Sequence, residues 1–113
     1  MTAAVWSLAV GLLLAVPARA DDAARGKETY ETRCAPCHGP SGAGDGPAAE
    51  ALTPRPRNLR DPEFWRGRTT AQVREVVKHG KPGTLMAPFE GVLSDTEIDA
   101  VVRHLESFRP AGR

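Results

Sequence analysis

No stretch of this chain alternates apolar and polar residues well enough to read as a strand. Aromatic residues are scarce at 5%, while Gly (11) and Pro (10) are frequent, which argues for short helices joined by punctuated loops and against a sheet sandwich. Strong net charge is also missing. The formal value is +1, and without residues 1–20 the 14 basic side chains equal the 14 acidic ones, which excludes a strongly basic nucleic-acid binder. At 113 residues the chain holds one small domain, whose modest core leaves a need for an internal staple or prosthetic group.

The N-terminal segment stands apart. Ala3 to Val16 is almost wholly apolar, and Pro17-Ala18-Arg19-Ala20 ends in the small-x-small pattern of a signal-peptide cleavage site. No Lys or Arg precedes the apolar run, so only the α-amino group supplies the positive n-region. The run is shorter than the ~20 residues that a membrane span needs. Residues 1–20 therefore read as a cleaved export signal and residues 21–113 as the domain, with a retained membrane anchor as the alternative.

Three helices and two long loops follow. The first helix is expected from Asp21 or Asp22, either of which can N-cap it, to about Arg33, with Gly26 and Tyr30 on one face. Residues 39–62 are rich in Gly and Pro and read as loop, with one helical turn at Ala48 to Leu52. Thr69 and Gln72 form a capping box for a second helix, striped by Val73, Val76 and Val77 and stopped by Gly80. After a loop from Lys81 to Leu93, Ser94 and Glu97 cap a third helix, with Leu93 placed to staple onto Ile98. One face of that helix is Ile98, Val101, Val102, Leu105 and Phe108.

The chemistry lies in Cys34-Ala35-Pro36-Cys37-His38. C-x-x-C-H is the attachment signature for c-type haem: the two thiols add across the two vinyl groups, and the following His is held beneath the iron as its proximal ligand. A thioredoxin-like dithiol would need a preceding strand, and none is visible. A four-ligand zinc site would need a second ligand pair, and His79 and His104 lie 25 residues apart. One covalent haem c is the reading that remains. An electron carrier also wants a sixth iron ligand. Met1 leaves with the signal segment, so Met86 is the only methionine available, and it lies in a loop rather than on a helical stripe. His79, before the Gly80 stop, reads as a favourable helix C-terminal residue, and His104 as a packing residue. Gly42-x-Gly44-x-Gly46 has neither a preceding strand nor a following Lys-Ser/Thr, so it is a poor phosphate loop.

Residues 21–113 resemble class I cytochrome c over nearly their whole length. The resemblance rests on Gly26-Lys27 with Tyr30, on Cys34-Ala35-Pro36-Cys37-His38-Gly39, on Gly83-Thr84-Leu85-Met86, and on Leu93-Ser94-Asp95. It implies an all-α cytochrome c fold, with three main helices and long loops wrapped around the haem. The first and last helices would cross at Gly26, and Tyr30 would meet Val101 and His104. His104 departs from the aromatic residue common there, and Pro88 comes one residue later than is common after the Met. The resemblance also implies a loop carbonyl accepting the proximal His N–H, for which Pro56 is the candidate and Pro54 the alternative. Arg57 and Trp65 are candidates for tying the haem propionates; ordinary packing is the competing role for Trp65.

The function expected is a periplasmic one-electron carrier, not an enzyme, exchanging electrons with redox partner proteins. The alternative is a haem subunit or sensor domain of a larger periplasmic oxidoreductase with an open or exchangeable sixth position. Residues 55–81 carry eight Lys/Arg (Arg55, Arg57, Arg60, Arg66, Arg68, Arg74, Lys78 and Lys81) against three acids. This segment is expected to dock on an acidic patch of the partner.

Overall fold

The computed structural model describes residues 2–12 and 18–111. Among these residues five helices appear, in the order α1 (Ala18–Arg33), α2 (Ala35–His38), α3 (Pro62–Trp65), α4 (Thr70–His79) and α5 (Asp95–Glu106), with a 3-10 turn at Ala49–Ala51. Among the described residues there is no strand, only an isolated bridge between Glu90 and Leu93. The three long helices are the three expected from the sequence. The expected export segment lies partly outside the described residues; residues 2–12 are exposed and carry no regular structure. Among the described residues no helix is long and apolar enough to cross a membrane.

The helix ends follow local side-chain chemistry. Thr69 accepts from the Gln72 amide while Gln72 reaches back to the Thr69 amide, and Ser94 and Glu97 make the same reciprocal pair at α5. Gly80 ends α4 with φ +73°, in the region that favours glycine. Asp61 caps α3 by accepting from the Glu63 amide, with Pro62 in the first turn, where its missing N–H costs nothing. This short helix starts at the last residue of the loop expected over residues 39–62 and was not itself expected. Helix α1 begins at Ala18, three residues before Asp21.

The core forms along α5, which packs against both α1 and α4. Tyr30, Ile98 and Val101 are fully buried, joined by Val73, Val77, Val102, Leu105, Phe108, Leu59 and Trp65. Leu93 packs against this cluster. Val76 does not belong to the apolar stripe assigned to it; it is exposed on the outer side of α4. Only one narrow face of α4 meets α5, and Val73 and Val77, four apart, suffice to fill it.

Helices α1 and α5 cross at Gly26. A Cβ there would lie 2.2 Å from the carbonyl oxygen of Ala100, closer than any atom pair tolerates, so the absence of a side chain sets the crossing distance. Alanine would improve helix propensity, yet the clash is with backbone and cannot be relieved by a rotamer change. Gly26→Ala is expected to destabilise the holoprotein by ~1–3 kcal/mol, the usual cost of overpacking, read as a lower denaturant midpoint. An unchanged midpoint would show that the crossing is loose. His104 keeps an aromatic ring at the crossing: its centroid lies 5.0 Å from that of Tyr30 and 5.2 Å from that of Phe108.

Candidate haem-attachment site

Cys34, Cys37 and His38 are brought together by α2, which follows α1 after a single residue. Cys34 occupies the N-cap position, and Pro36 lies in the first turn, where proline is tolerated. The amides of Cys37 and His38 both turn back to the Cys34 carbonyl, at 3.2 and 2.9 Å. Both thiols are unpaired and half-buried. Burial, helped by the neighbouring Cys37, pushes the free Cys34 thiol up to about 11.

The rest of the turn is strapped by the glycine-rich loop. The amides of Gly44, Gly46 and Ala48 donate to the carbonyls of His38, Cys37 and Pro36 at 2.8, 3.0 and 2.9 Å. A Cβ on Gly46 would sit 2.4 Å from the Pro36 carbonyl oxygen, so this strap lies flat only where the side chain is absent. The Gly39 carbonyl receives the Gly42 amide at 3.1 Å and the hydroxyl of buried Tyr30 at 2.5 Å. Burial first, then the Cys34 and Asp45 charges, holds that hydroxyl well above the ordinary phenol range, so it stays a donor. The repeated glycines that the sequence left without a role therefore line the attachment turn with backbone donors.

His38 is oriented from the other side. Its Nδ1 lies 3.2 Å from the carbonyl oxygen of Arg57. The accepting carbonyl is thus that of Arg57, one residue beyond Pro56, because the Pro56 oxygen faces Gly44 instead. Burial lowers the His38 pKa from its ordinary value, and the Arg57 contact opposes this shift. Two unpaired thiols, and a neutral imidazole tied at one nitrogen with Nε2 left over, are the donor set that covalent haem requires, so the residues present fit that group.

Met86 stands on the loop between α4 and α5. Its amide donates to the Thr84 hydroxyl at 3.1 Å and its carbonyl accepts from the Lys81 amide at 3.3 Å. The far end of the loop returns to α4, with the Phe89 and Glu90 amides on the Val77 and Lys78 carbonyls at 3.1 and 3.0 Å. Leu85 beside Met86 is 73% exposed, a large apolar side chain without protein cover.

The other residues expected at the site lie as follows. Trp65 is buried, with its only donor, Nε1–H, on the Leu59 carbonyl at 2.7 Å, as fits the packing role, one of the two expected of it. Arg57 does extend an exposed guanidinium, 5.4 Å from the centre of the Phe64 ring. The basic run 55–81 is not one open positive face. Arg74 pairs with Asp99 and Asp95, Lys78 with Asp95, and Arg66 with Glu63. Arg60 and Arg68 are engaged with the Ser41 and Phe64 carbonyls.

A helical fold closed by crossed terminal helices, holding a C-x-x-C-H turn against long loops, defines a class I c-type cytochrome. The chain belongs to the family described as cytochrome c oxidase, cbb3-type, subunit III, which matches residues 21–105. It is 39% identical over 104 residues to the dihydro-heme d1 dehydrogenase of Pseudomonas aeruginosa, covering 91% of this chain and 19% of that protein. It is 31% identical over 96 residues to the cbb3-type cytochrome c oxidase subunit FixP of Azorhizobium caulinodans, covering 78% of this chain and 30% of that protein. The chain therefore spans less than a third of the length of either curated relative. Among solved structures, the c-type cytochrome KustC0563 superposes with a TM-score of 0.61 at 27% identity, over 74% of this chain and 96% of that one. The domain is thus a haem-binding electron-transfer unit.

Proposed function

We propose that this chain is an exported one-electron carrier that holds a single haem c and passes electrons between redox partner proteins in the periplasm. Cys34 and Cys37 form the thioethers, His38 is the proximal ligand and Met86 the sixth. Residues 1–20 direct export and are removed. The observation that carries this reading is the strapped Cys34–His38 turn, whose imidazole is fixed through Nδ1 by the Arg57 carbonyl with Nε2 available. Met86 is favoured by the employment of its rivals. His79 has Glu75 and Glu90 at its two ring nitrogens, 3.2 and 3.4 Å away, and His104 is packed against Tyr30 and Phe108.

When bound, haem supplies the one-electron iron couple. The chain's own residues do the rest. The two cysteines would prevent loss of the group, and His38 and Met86 would ligate its iron and leave no position open to substrates. Arg57, with its exposed guanidinium, would neutralise a propionate. A second reading, a haem domain serving a larger redox enzyme, draws support from the two curated relatives, named as a dehydrogenase and an oxidase subunit.

Intact mass after denaturation is expected to equal residues 21–113 plus one haem, with no free thiol. Haem that acidified organic solvent extracts would overturn the attachment. The oxidised protein should show the weak sulfur–iron charge-transfer band near the red end of the visible range, and the reduced protein should resist carbon monoxide. Rapid carbon monoxide binding would select the reading with an exchangeable sixth position.

A further inference from the structure

We propose that Gly44 is the positioning residue that lets the Arg57 carbonyl reach His38, and that it thereby sets the reduction potential of the centre. This deepens the functional reading above and rests on it. Gly44 touches both sides of the proximal histidine. Its amide donates to the His38 carbonyl at 2.8 Å, holding the backbone of the ligand. Its Cα faces the segment that supplies the acceptor for the ligand's side chain. A Cβ at Gly44 would lie 2.7 Å from the Pro56 carbonyl oxygen and 3.3 Å from both the carbonyl carbon and oxygen of Arg57. All three atoms belong to backbone, which cannot swing aside as a flexible side chain does. The same segment is anchored nearby, where the Leu59 amide donates to the Gly42 carbonyl at 2.7 Å. Residues 56–57 therefore approach His38 only as closely as Gly44 permits.

That distance matters because the His38–Arg57 contact, at 3.2 Å, is already at the long end for an N–H···O bond. A methyl group at Gly44 pushes the Arg57 carbonyl back, and a small retreat is enough to break the bond. With Nε2 given to the iron, Nδ1 carries the proton, and a carbonyl acceptor makes the imidazole a stronger donor. A stronger donor favours ferric iron and lowers the potential. Loss of the acceptor raises it.

Gly44 has φ +79°, so a side chain there also costs backbone strain, and a control must separate the two effects. Gly67 supplies it: φ is +66° and nothing lies within 4 Å of its Cβ position. The experiment compares the holoprotein with its Gly44→Ala and Gly67→Ala variants in two measurements: the midpoint potential, and the solvent exchange of the His38 Nδ1 proton by NMR. Gly44→Asn is made alongside, since asparagine accepts the left-handed conformation more readily and still carries a Cβ. The expected result is an upward shift in the Gly44 variants of about tenfold in the ferrous-to-ferric balance, about 59 mV for one electron, with faster Nδ1 proton exchange. Gly67→Ala should match the parent in both measurements while losing some stability. A Gly44 variant that keeps the parent's potential and proton exchange overturns the inference. So does a Gly67→Ala protein that shifts as far as the Gly44 variants, since strain alone would then explain the change. A parent protein without haem on Cys34 and Cys37 defeats the functional reading as well, so the two failures are told apart.

Discussion

With Cys34 and Cys37 both changed to serine, the chain is expected to lose its cooperative fold together with its haem. The protein core is small and lies along α5, between it and α1 on one side and α4 on the other. Helix α2 has no buried residue, and the loop from residue 39 to 61 contributes only Leu59 to the apolar cluster. What holds α2 and its strap in place is a ladder of backbone hydrogen bonds, each worth only ~1 kcal/mol net in water. Those bonds cannot by themselves offset the ordering of so many loop residues, at ~1–2 kcal/mol each for the backbone. On the proposed function, haem would supply the missing apolar surface, tied to the chain through Cys34 and Cys37. Circular dichroism during heating is the measurement. A sigmoidal transition from native helix content in the double variant would show that the polypeptide folds unaided.

Met86→His is the second large effect. The variant is expected to keep a six-coordinate iron and to drop in potential by on the order of 0.1 V or more, within the ~0.8 V over which axial ligands set haem potentials. A thioether is a soft ligand that favours ferrous iron, and imidazole is a poorer match for it. The loop that carries Met86 is pinned at both ends to α4, so the new side chain is presented from nearly the same backbone position. Redox titration with the optical spectrum followed in parallel decides the matter. An unchanged midpoint would mean that Met86 never bound the iron.

The parts of this molecule legible in its sequence are those governed by near neighbours. Thr69 with Gln72 and Ser94 with Glu97 announced two helix starts because a capping box spans only four residues. The Cys34–His38 motif and the small residue at Gly26 were legible because their spacing is their chemistry. The acceptor for His38 was missed by one residue because the direction of a carbonyl depends on backbone torsions that no side chain at 56 or 57 reveals. The role of Trp65 was left open for a related reason: its indole N–H finds a backbone partner, Leu59, that only the fold brings close. The surplus of positive charge in residues 55–81 was real as composition. Its partial offset by Asp95 and Asp99, which pair with Arg74 and Lys78, came from α5, a helix that packs against α4 only in the folded chain.

The crossing at Gly26 and Ala100 has a consequence for the timing of assembly. It joins the first long helix to the last, across nearly the whole length of the domain. Contacts of such separation form late, since the intervening chain must be gathered before they repay its loss of freedom. Until α5 arrives, Tyr30 has no lid from Val101 and Phe108, and the Cys34–His38 turn it supports stays loose. A chain emerging from its N-terminus thus presents both thiols long before it can bury them. Haem attachment in that interval would precede the docking of the C-terminal helix, as expected of a chain that does not fold without the group.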